Sequence, residues 1–163
     1  MSSKLFEAPP ILPPFGPDKK FVGGHGNVFV FGSNLEGLHG GGAAAFAVKN
    51  CGAIMGEAFG LQPGIGSDGS ESYALPTLDV DWVETRDKKT SKLITLPRFR
   101  TLTITELAYW VGEFYEWTEA NTILNTFVTK IGCGIAGFTE KQVAPLFQRF
   151  MFNDSVTLPT GWD

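Results

Sequence analysis

The segment Asn27-Val28-Phe29-Val30-Phe31-Gly32-Ser33-Asn34 decides the fold of this 163-residue chain. Its apolar core, Val28 to Phe31, consists of β-branched and aromatic residues and is bounded by Gly26 and Gly32. A short continuous apolar run between glycines is typical of a strand that is buried on both faces. The glycine-rich stretch that follows leads into a predicted helix from Gly40 to about Asn50. The sequence therefore begins its fold as a strand, a loop and a helix.

The rest of the chain adds strands and helices in an alternating order. Residues 60–72 are rich in glycine and serine and predict a mobile loop, residues 72–76 a strand, and residues 80–95 a surface hairpin or excursion. Two capping boxes, Thr103 to Glu106 and Thr139 to Gln142, predict the starts of two helices.

Further strands are expected at residues 123–131 and 155–158. This order predicts a three-layer α/β fold in which helices cover both faces of a mixed central sheet. Residues 21–163 are expected to form this single domain, and residues 1–20, with five prolines, an extended arm that packs on it.

The composition indicates which partners and which cellular compartment are expected for this protein. The formal net charge is −4, and no run of lysine or arginine is long enough to follow a nucleic-acid backbone. The two cysteines are not spaced as metal ligands, so we expect no metal and no cofactor. Because neither a signal peptide nor about 18 consecutive apolar residues occurs, we expect a cytoplasmic protein without a membrane partner. The sequence leaves open whether the protein is a monomer or an oligomer.

Two glycine-rich loops, residues 32–42 and 132–138, each follow a predicted strand and precede a predicted helix. Glycines let a ligand approach the backbone closely, and the open N–H groups of a helix start attract anions. The second loop also matches GxGxxG, but only some 25 residues follow it, too few for a dinucleotide-binding half of the Rossmann type. Neither a P-loop motif nor a GxSxG motif occurs. Two such loops at one sheet edge predict a diphosphate site.

These two loops resemble those of the macro domain family. The carrying motifs are Phe31 to Asn34 with His39 to Ala44 in the first loop, and Lys130 to Gly134 with the following Ile-Ala-Gly-Phe in the second. The chain is most similar to the branch of terminal ADP-ribose protein glycohydrolases and to uncharacterised bacteriophage and bacterial proteins that share the FGSN, HGxGAA and TxIGCGxAG motifs. The resemblance implies an ADP-ribose-type ligand and, in a bacteriophage protein, capture of a signalling nucleotide in the host cytoplasm as an anti-defence function.

The resemblance and the loops together give a set of candidate site residues. Asn27 stands where many macro domains have an aspartate that contacts adenine, and Phe138 is expected to stack on a ribose or base. The expected ligand-binding residues are Asn27, Gly32, Ser33, Asn34, His39, Gly40, Gly41, Gly42, Ala43, Gly132, Cys133, Gly134, Ile135, Ala136, Gly137 and Phe138.

Catalysis is less expected than binding. Hydrolytic relatives place carboxylates or a lysine at positions that correspond here to Ala43 and Ala44, to Ala136 and, approximately, to Leu78. Binding without turnover is therefore the first hypothesis. A hydrolase of ADP-ribosyl or nucleotide derivatives that uses His39 or Asp79 is the second, and a protein-interaction module whose loops are only structural is the third.

Overall fold

A computed structural model, which describes residues 20–163, shows an α/β architecture around one mixed sheet. In this part of the chain the elements follow in the order β1 (Asn27–Asn34), α1 (Gly42–Asn50), β2 (Gly60–Leu61), β3 (Glu71–Arg86), β4 (Leu93–Thr101), α2 (Ile104–Ala120), β5 (Asn125–Val128), α3 (Glu140–Val143), a 3₁₀ helix (Ala144–Phe150) and β6 (Val156–Thr157). The strand order is β2-β3-β1-β5-β6, with β4 paired to β3. The pairs β1/β3, β1/β5 and β5/β6 are parallel, whereas β2 and β4 run antiparallel to β3.

Strand β1 is the centre of the sheet and is buried on both faces. Phe29 and Phe31 pack toward α1, whereas Val28 and Val30 pack toward α2 and the 3₁₀ helix. This alternation follows from the two-residue period of a strand. The three layers expected from the sequence, helix, mixed sheet and helix, are therefore confirmed.

The face under α1 is built from small residues. Ala44 and Ala47 are the buried residues of this nine-residue helix, and they meet Phe29, Phe31 and Ala74 of the sheet. Alanine lets the helix axis come close to the strands, so that the loop before the helix also lies close to the end of β1. The next segment packs against the helix end, since a Cβ atom at Gly52 would lie 2.2 Å from the carbonyl carbon of Gly64.

The opposite face is aromatic. In α2 the buried residues Leu107, Val111, Phe114 and Thr118 recur every three or four positions, as one helical face requires. Phe114 lies against Tyr73 of β3 and against Phe150, with ring centroids 4.9 and 5.2 Å apart. Both capping boxes form, with the Thr103 and Thr139 side chains accepting from the N–H groups of Glu106 and Gln142.

Several predicted boundaries differ from the observed ones. The surface hairpin is present but longer, because β3 continues to Arg86 and β4 runs on to Thr101. The loop expected over residues 60–72 begins with the short strand β2. Strand β5 ends at Val128 rather than near residue 131. Thr129 still bonds to the Val30 carbonyl oxygen, but the Ile131 N–H then donates back to the Thr129 carbonyl oxygen in a tight turn that begins the loop.

Two further expectations concern the proline-rich arm and the possibility of a membrane-spanning helix. The extended arm predicted for residues 1–20 lies, apart from Lys20, outside the described residues. Among residues 20–163 no helix is both long and apolar enough to cross a membrane.

We expect Phe114→Ala to lower the free energy of unfolding by about 3–5 kcal/mol, because it leaves a cavity among the aromatic rings of the α2 face. Phe152→Ala is the matched control, since Phe152 is 89% exposed and its loss should change the stability by less than about 0.5 kcal/mol. Urea denaturation of both variants checks this, and similar midpoints would contradict the packing described here.

Candidate functional site

A cavity of about 810 Å³ lies at the carboxyl ends of β1 and β5, beside the middle of β3. Because β1, β3 and β5 are parallel, the segments that follow β1 and β5 leave the sheet at the same edge. Ligands of open α/β sheets bind at this kind of edge. The volume is within the range of about 300–1,000 Å³ that small-molecule sites occupy.

The cavity wall comes from five segments of the chain: the end of β1 with the loop and start of α1 that follow it, the loop between α1 and β2, the middle of β3, β4, and the loop after β5. The residues that line it are Gly32, Ser33, Asn34, Leu38, Gly40, Gly41, Gly42, Ala43, Ala44, Met55, Thr77, Leu78, Pro97, Phe99, Thr129, Lys130, Ile131, Gly132, Cys133, Gly134, Ile135 and Ala136. Both glycine-rich loops predicted from the sequence therefore meet at one cavity.

The Asn34 side chain shapes the first loop. Its Oδ1 atom accepts from the N–H groups of Glu36 and Leu38, and its Nδ2 atom donates to the Leu38 carbonyl oxygen. The hydroxyl of Ser33 donates to the Ala58 carbonyl oxygen over 2.6 Å. Both side chains are buried and hold the loop in place. A ligand would therefore contact mainly the backbone of this loop rather than these two side chains.

Helix α1 starts at this cavity without a side-chain cap. Its N-cap is Gly41, and the first hydrogen bond of the helix runs from Ala45 N–H to the Gly41 carbonyl oxygen. The N–H groups of Gly42, Ala43 and Ala44 are therefore the open donors of the first turn. The starts of α2 and α3 are both closed by capping boxes. Among these three helices, only the one at the cavity has its first turn open.

The loop after β5 adds a second set of donors. Its internal backbone hydrogen bonds run from Cys133 N–H to Lys130, from Gly137 N–H to Gly134 and from Phe138 N–H to Gly132. They leave the N–H groups of Gly134, Ile135 and Ala136 without a protein acceptor among residues 20–163. Ile135 is 83% exposed, so the tip of this loop is open to solvent and to a ligand.

Three of the cavity glycines are not required by the fold itself, unlike Gly42 and Gly132, whose positive φ favours glycine. A Cβ atom at Gly40, Gly41 or Gly134 would meet no heavy atom within 4 Å, and these three residues lie outside the left-handed backbone region. Gly52 and Gly64, by contrast, are needed because a Cβ atom there would collide with backbone. Close approach of a ligand is a physical reason for glycine at the cavity positions.

The electrostatics of the cavity favour an anion. Among residues 20–163, no carboxylate and no imidazole line it. Lys130 is the cation of this described lining, and its Nζ atom lies 3.4 Å from Glu140 Oε2. Trp162 Nε1–H donates to the other Glu140 oxygen over 2.9 Å, and this bond lowers the pKa of Glu140. Cys133 also lines the cavity, but burial, with Glu140 nearby, raises the pKa of its thiol. Cys133 is therefore not an activated nucleophile.

Sequence reasoning missed the wall that β4 contributes. Pro97 and Phe99 line the cavity, and the Thr101 hydroxyl at the end of the strand donates to the Ala136 carbonyl oxygen over 2.7 Å. Alternation along β4 puts these three residues on one face, but only the pairing with β3 shows that this face meets the cavity. Met55 and Leu38 also line the cavity, and no motif in the sequence around them predicted this.

Asn27 and His39, predicted to contact the ligand, lie outside the cavity lining. Asn27 begins β1, roughly 16 Å along the strand from Gly32, and its amide donates to the Val22 carbonyl oxygen. His39 is buried against the Phe31 ring and donates from Nε2 to the Glu57 carbonyl oxygen. Burial lowers the pKa of His39, so the imidazole is neutral at pH 7, and its Nδ1 atom has no partner among residues 20–163.

Asp79, Gly137 and Phe138 also lie outside the lining. Asp79 follows Leu78, turns away from the cavity and pairs with Arg100 over 3.0 Å. The Phe138 ring packs under the loop, where a Cβ atom at Gly132 would lie 2.9 Å from it, and against the aromatic face. It is therefore a packing residue of the loop, and the remaining twelve of the predicted ligand-binding residues do line the cavity.

Comparisons with known proteins give no functional assignment. No family model matches the chain. No curated protein matches it either. A solved structure of a protein of unknown function from Bacteroides thetaiotaomicron is similar, with 16% identity, a TM-score of 0.49, and coverage of 88% of this chain and 91% of that one. This similarity carries no argument about the site.

Proposed function

We propose that this protein binds an ADP-ribose-type nucleotide, namely ADP-ribose or a cyclic or NAD-derived relative, in the cavity between its two glycine-rich loops. One observation carries the proposal. In the described part of the chain, two neighbouring segments at the same cavity, the open first turn of α1 and the loop Gly134 to Ala136, have N–H groups without a protein acceptor, and no carboxylate lines that cavity.

The two sets of donors suit a diphosphate better than a single phosphate. Each set can bind one anionic group, and the helix start adds about half a positive charge. Strands β1 and β5 are hydrogen-bonded neighbours, so the segments that follow them leave the sheet close together. Lys130 adds an ammonium donor beside the second set, with its charge partly balanced by Glu140 at 3.4 Å. A bare phosphate would leave one set unused.

The resemblance of these loops to macro domains supports the same ligand class. The two features that the resemblance names, a glycine-rich helix start after the first strand and a glycine loop after a late strand, both line the cavity. Binding without turnover would amount to sequestration. The proposal keeps the cytoplasm as its compartment, the host cytoplasm in the case of a bacteriophage protein.

Hydrolysis is the weaker reading of this site. A general acid or base must lie within hydrogen-bond reach of the reacting group, directly or through one water. Neither His39 nor Asp79 lines the cavity, because one is buried against Glu57 and the other is paired with Arg100. The positions Ala44, Leu78 and Ala136 are apolar and line it.

We expect Gly41→Val and Gly134→Val to abolish binding of ADP-ribose, measured by calorimetry, without loss of fold. The added side chains would project into space that the proposed ligand occupies, and beyond the adjacent residues no heavy atom of residues 20–163 lies within 4 Å of either new Cβ atom. Gly112→Val in α2 is the control, because its Cβ atom would make only an ordinary contact with Arg149. Wild-type affinity in both site variants, with circular dichroism unchanged, would show that these loops are not the site.

Lys130→Gln should weaken ADP-ribose binding about ten-fold and reduce its salt dependence, because a hydrogen bond from a charged donor to phosphate is lost. Lys141→Gln removes an exposed charge one residue beyond Glu140 and outside the cavity lining, so it should leave the affinity unchanged. Titrations at two salt concentrations distinguish them. An equal loss in both variants would show that only net charge matters.

Turnover of ADP-ribosylated protein or of free nucleotide derivatives should be absent, because loss of a general acid or base typically costs on the order of 10²–10⁴-fold in rate. Chromatography of the reaction mixture gives the measurement, with His39→Ala and Asp79→Ala as variants. Rapid turnover that either variant removes would replace the binding proposal with the hydrolase. If no nucleotide raises the melting temperature of the protein, the hypothesis of a protein-interaction module would be favoured instead.

A further inference from the structure

The β4 side of the cavity differs in chemistry from the side that carries the N–H groups. Pro97 and Phe99 line the cavity here, with Met55 and Leu78 beside them, and none of these side chains carries a charge or a hydrogen-bonding group. Phe99 is 45% exposed, although it pairs with the buried Val80. An exposed aromatic ring in a concave wall is a surface that a flat ligand group can cover.

The strand that carries this wall is held in place from both of its faces. On the cavity face, the Thr101 hydroxyl bonds to the Ala136 carbonyl oxygen, which ties β4 to the loop that carries one set of N–H groups. On the other face, Arg100 pairs with Asp79 over 3.0 Å and with Glu106 of α2 over 3.4 Å. The Phe99 ring, two residues from Thr101 on the same face, is therefore positioned roughly 7 Å along the strand from this tie.

We propose that the base of the nucleotide stacks on Phe99, so that the ligand extends from the N–H groups of the glycine-rich loops to the wall formed by β4. This inference rests on the proposed function and deepens it, because it assigns the subsite for the base. Base-aromatic stacking needs an accessible aromatic ring, and Phe99 is half-exposed and lines the cavity. Phe138 does not offer one, since its ring packs under Gly132.

The test compares ligands with and without a base in the wild-type protein and two variants, by calorimetry and proton NMR. ADP-ribose is the probe with a base, and inorganic pyrophosphate is the probe without one. Phe99→Ala is the test variant. Phe59→Ala is the matched control, because Phe59 is 60% exposed, packs on Trp110 and lies outside the cavity lining.

We expect Phe99→Ala to weaken ADP-ribose binding about ten-fold or more, and Phe59→Ala to leave it unchanged. The adenine H2 and H8 signals of bound ADP-ribose should shift upfield in the wild type, because they lie over a ring face, and this shift should disappear in Phe99→Ala. Whatever the affinity of pyrophosphate for the wild-type protein, Phe99→Ala should not change it.

Three other results would overturn the inference. Wild-type affinity of Phe99→Ala for ADP-ribose, together with loss of binding in Gly41→Val, would place the base elsewhere and leave the proposed function intact. An equal loss for ADP-ribose and pyrophosphate in Phe99→Ala would mean that the substitution disturbs the loops rather than a base subsite. If the folded wild-type protein does not bind ADP-ribose at all, the proposed function fails, and the base subsite fails with it.

Discussion

The burial of β1 on both faces is the constraint on which the rest of the structure depends. Its alternating side chains, Phe29 and Phe31 toward α1 and Val28 and Val30 toward α2, require a helical layer on each side of the sheet. A strand covered on both faces has only its ends in contact with solvent. The chain therefore leaves the sheet at Asn34 into a loop whose backbone cannot all be paired, and a ligand can replace water there.

The starts of the three α-helices differ in how well they are capped, and the start of α1 is the least stabilised of them. Thr103 and Thr139 close the starts of α2 and α3 with complete capping boxes, whereas α1 begins at Gly41 and no residue of the described chain accepts from its first N–H groups. An anion near such a helix start gains about 0.3–1 kcal/mol, and up to about 2 kcal/mol when it is partly buried. A serine or threonine cap at position 41 would compete with that anion. The open donors that weaken the helix start locally are thus the same ones to which we assign the proposed binding of an anion.

The parts of the fold and site that the sequence predicted are those encoded by local patterns. The β1 run, both capping boxes and the two glycine-rich loops depend on neighbours within a few residues, and the structure contains them. The cavity wall at Pro97 and Phe99 depends on the pairing of β4 with β3, and Met55 reaches the cavity through the path of a long loop. Phe138 is a residue for which the local motif gave the wrong prediction. Its motif predicted a stacking residue, but the left-handed turn at Gly132 places the ring under the loop, where apolar burial holds it.

The position of Asp79 explains why a carboxylate so close to the cavity takes no part in it. Leu78 faces the cavity, and the next residue of a strand points to the opposite face. There Arg100 pairs with Asp79 and also with Glu106, whose side chain completes the capping box of α2. Turning Asp79 toward the cavity would break this network and place a negative charge beside the open N–H groups, where a phosphate would be repelled. The same arrangement that fixes the β4 wall therefore also keeps Asp79 out of the cavity, and the strand register explains why the proposed anion site has no acid or base from β3.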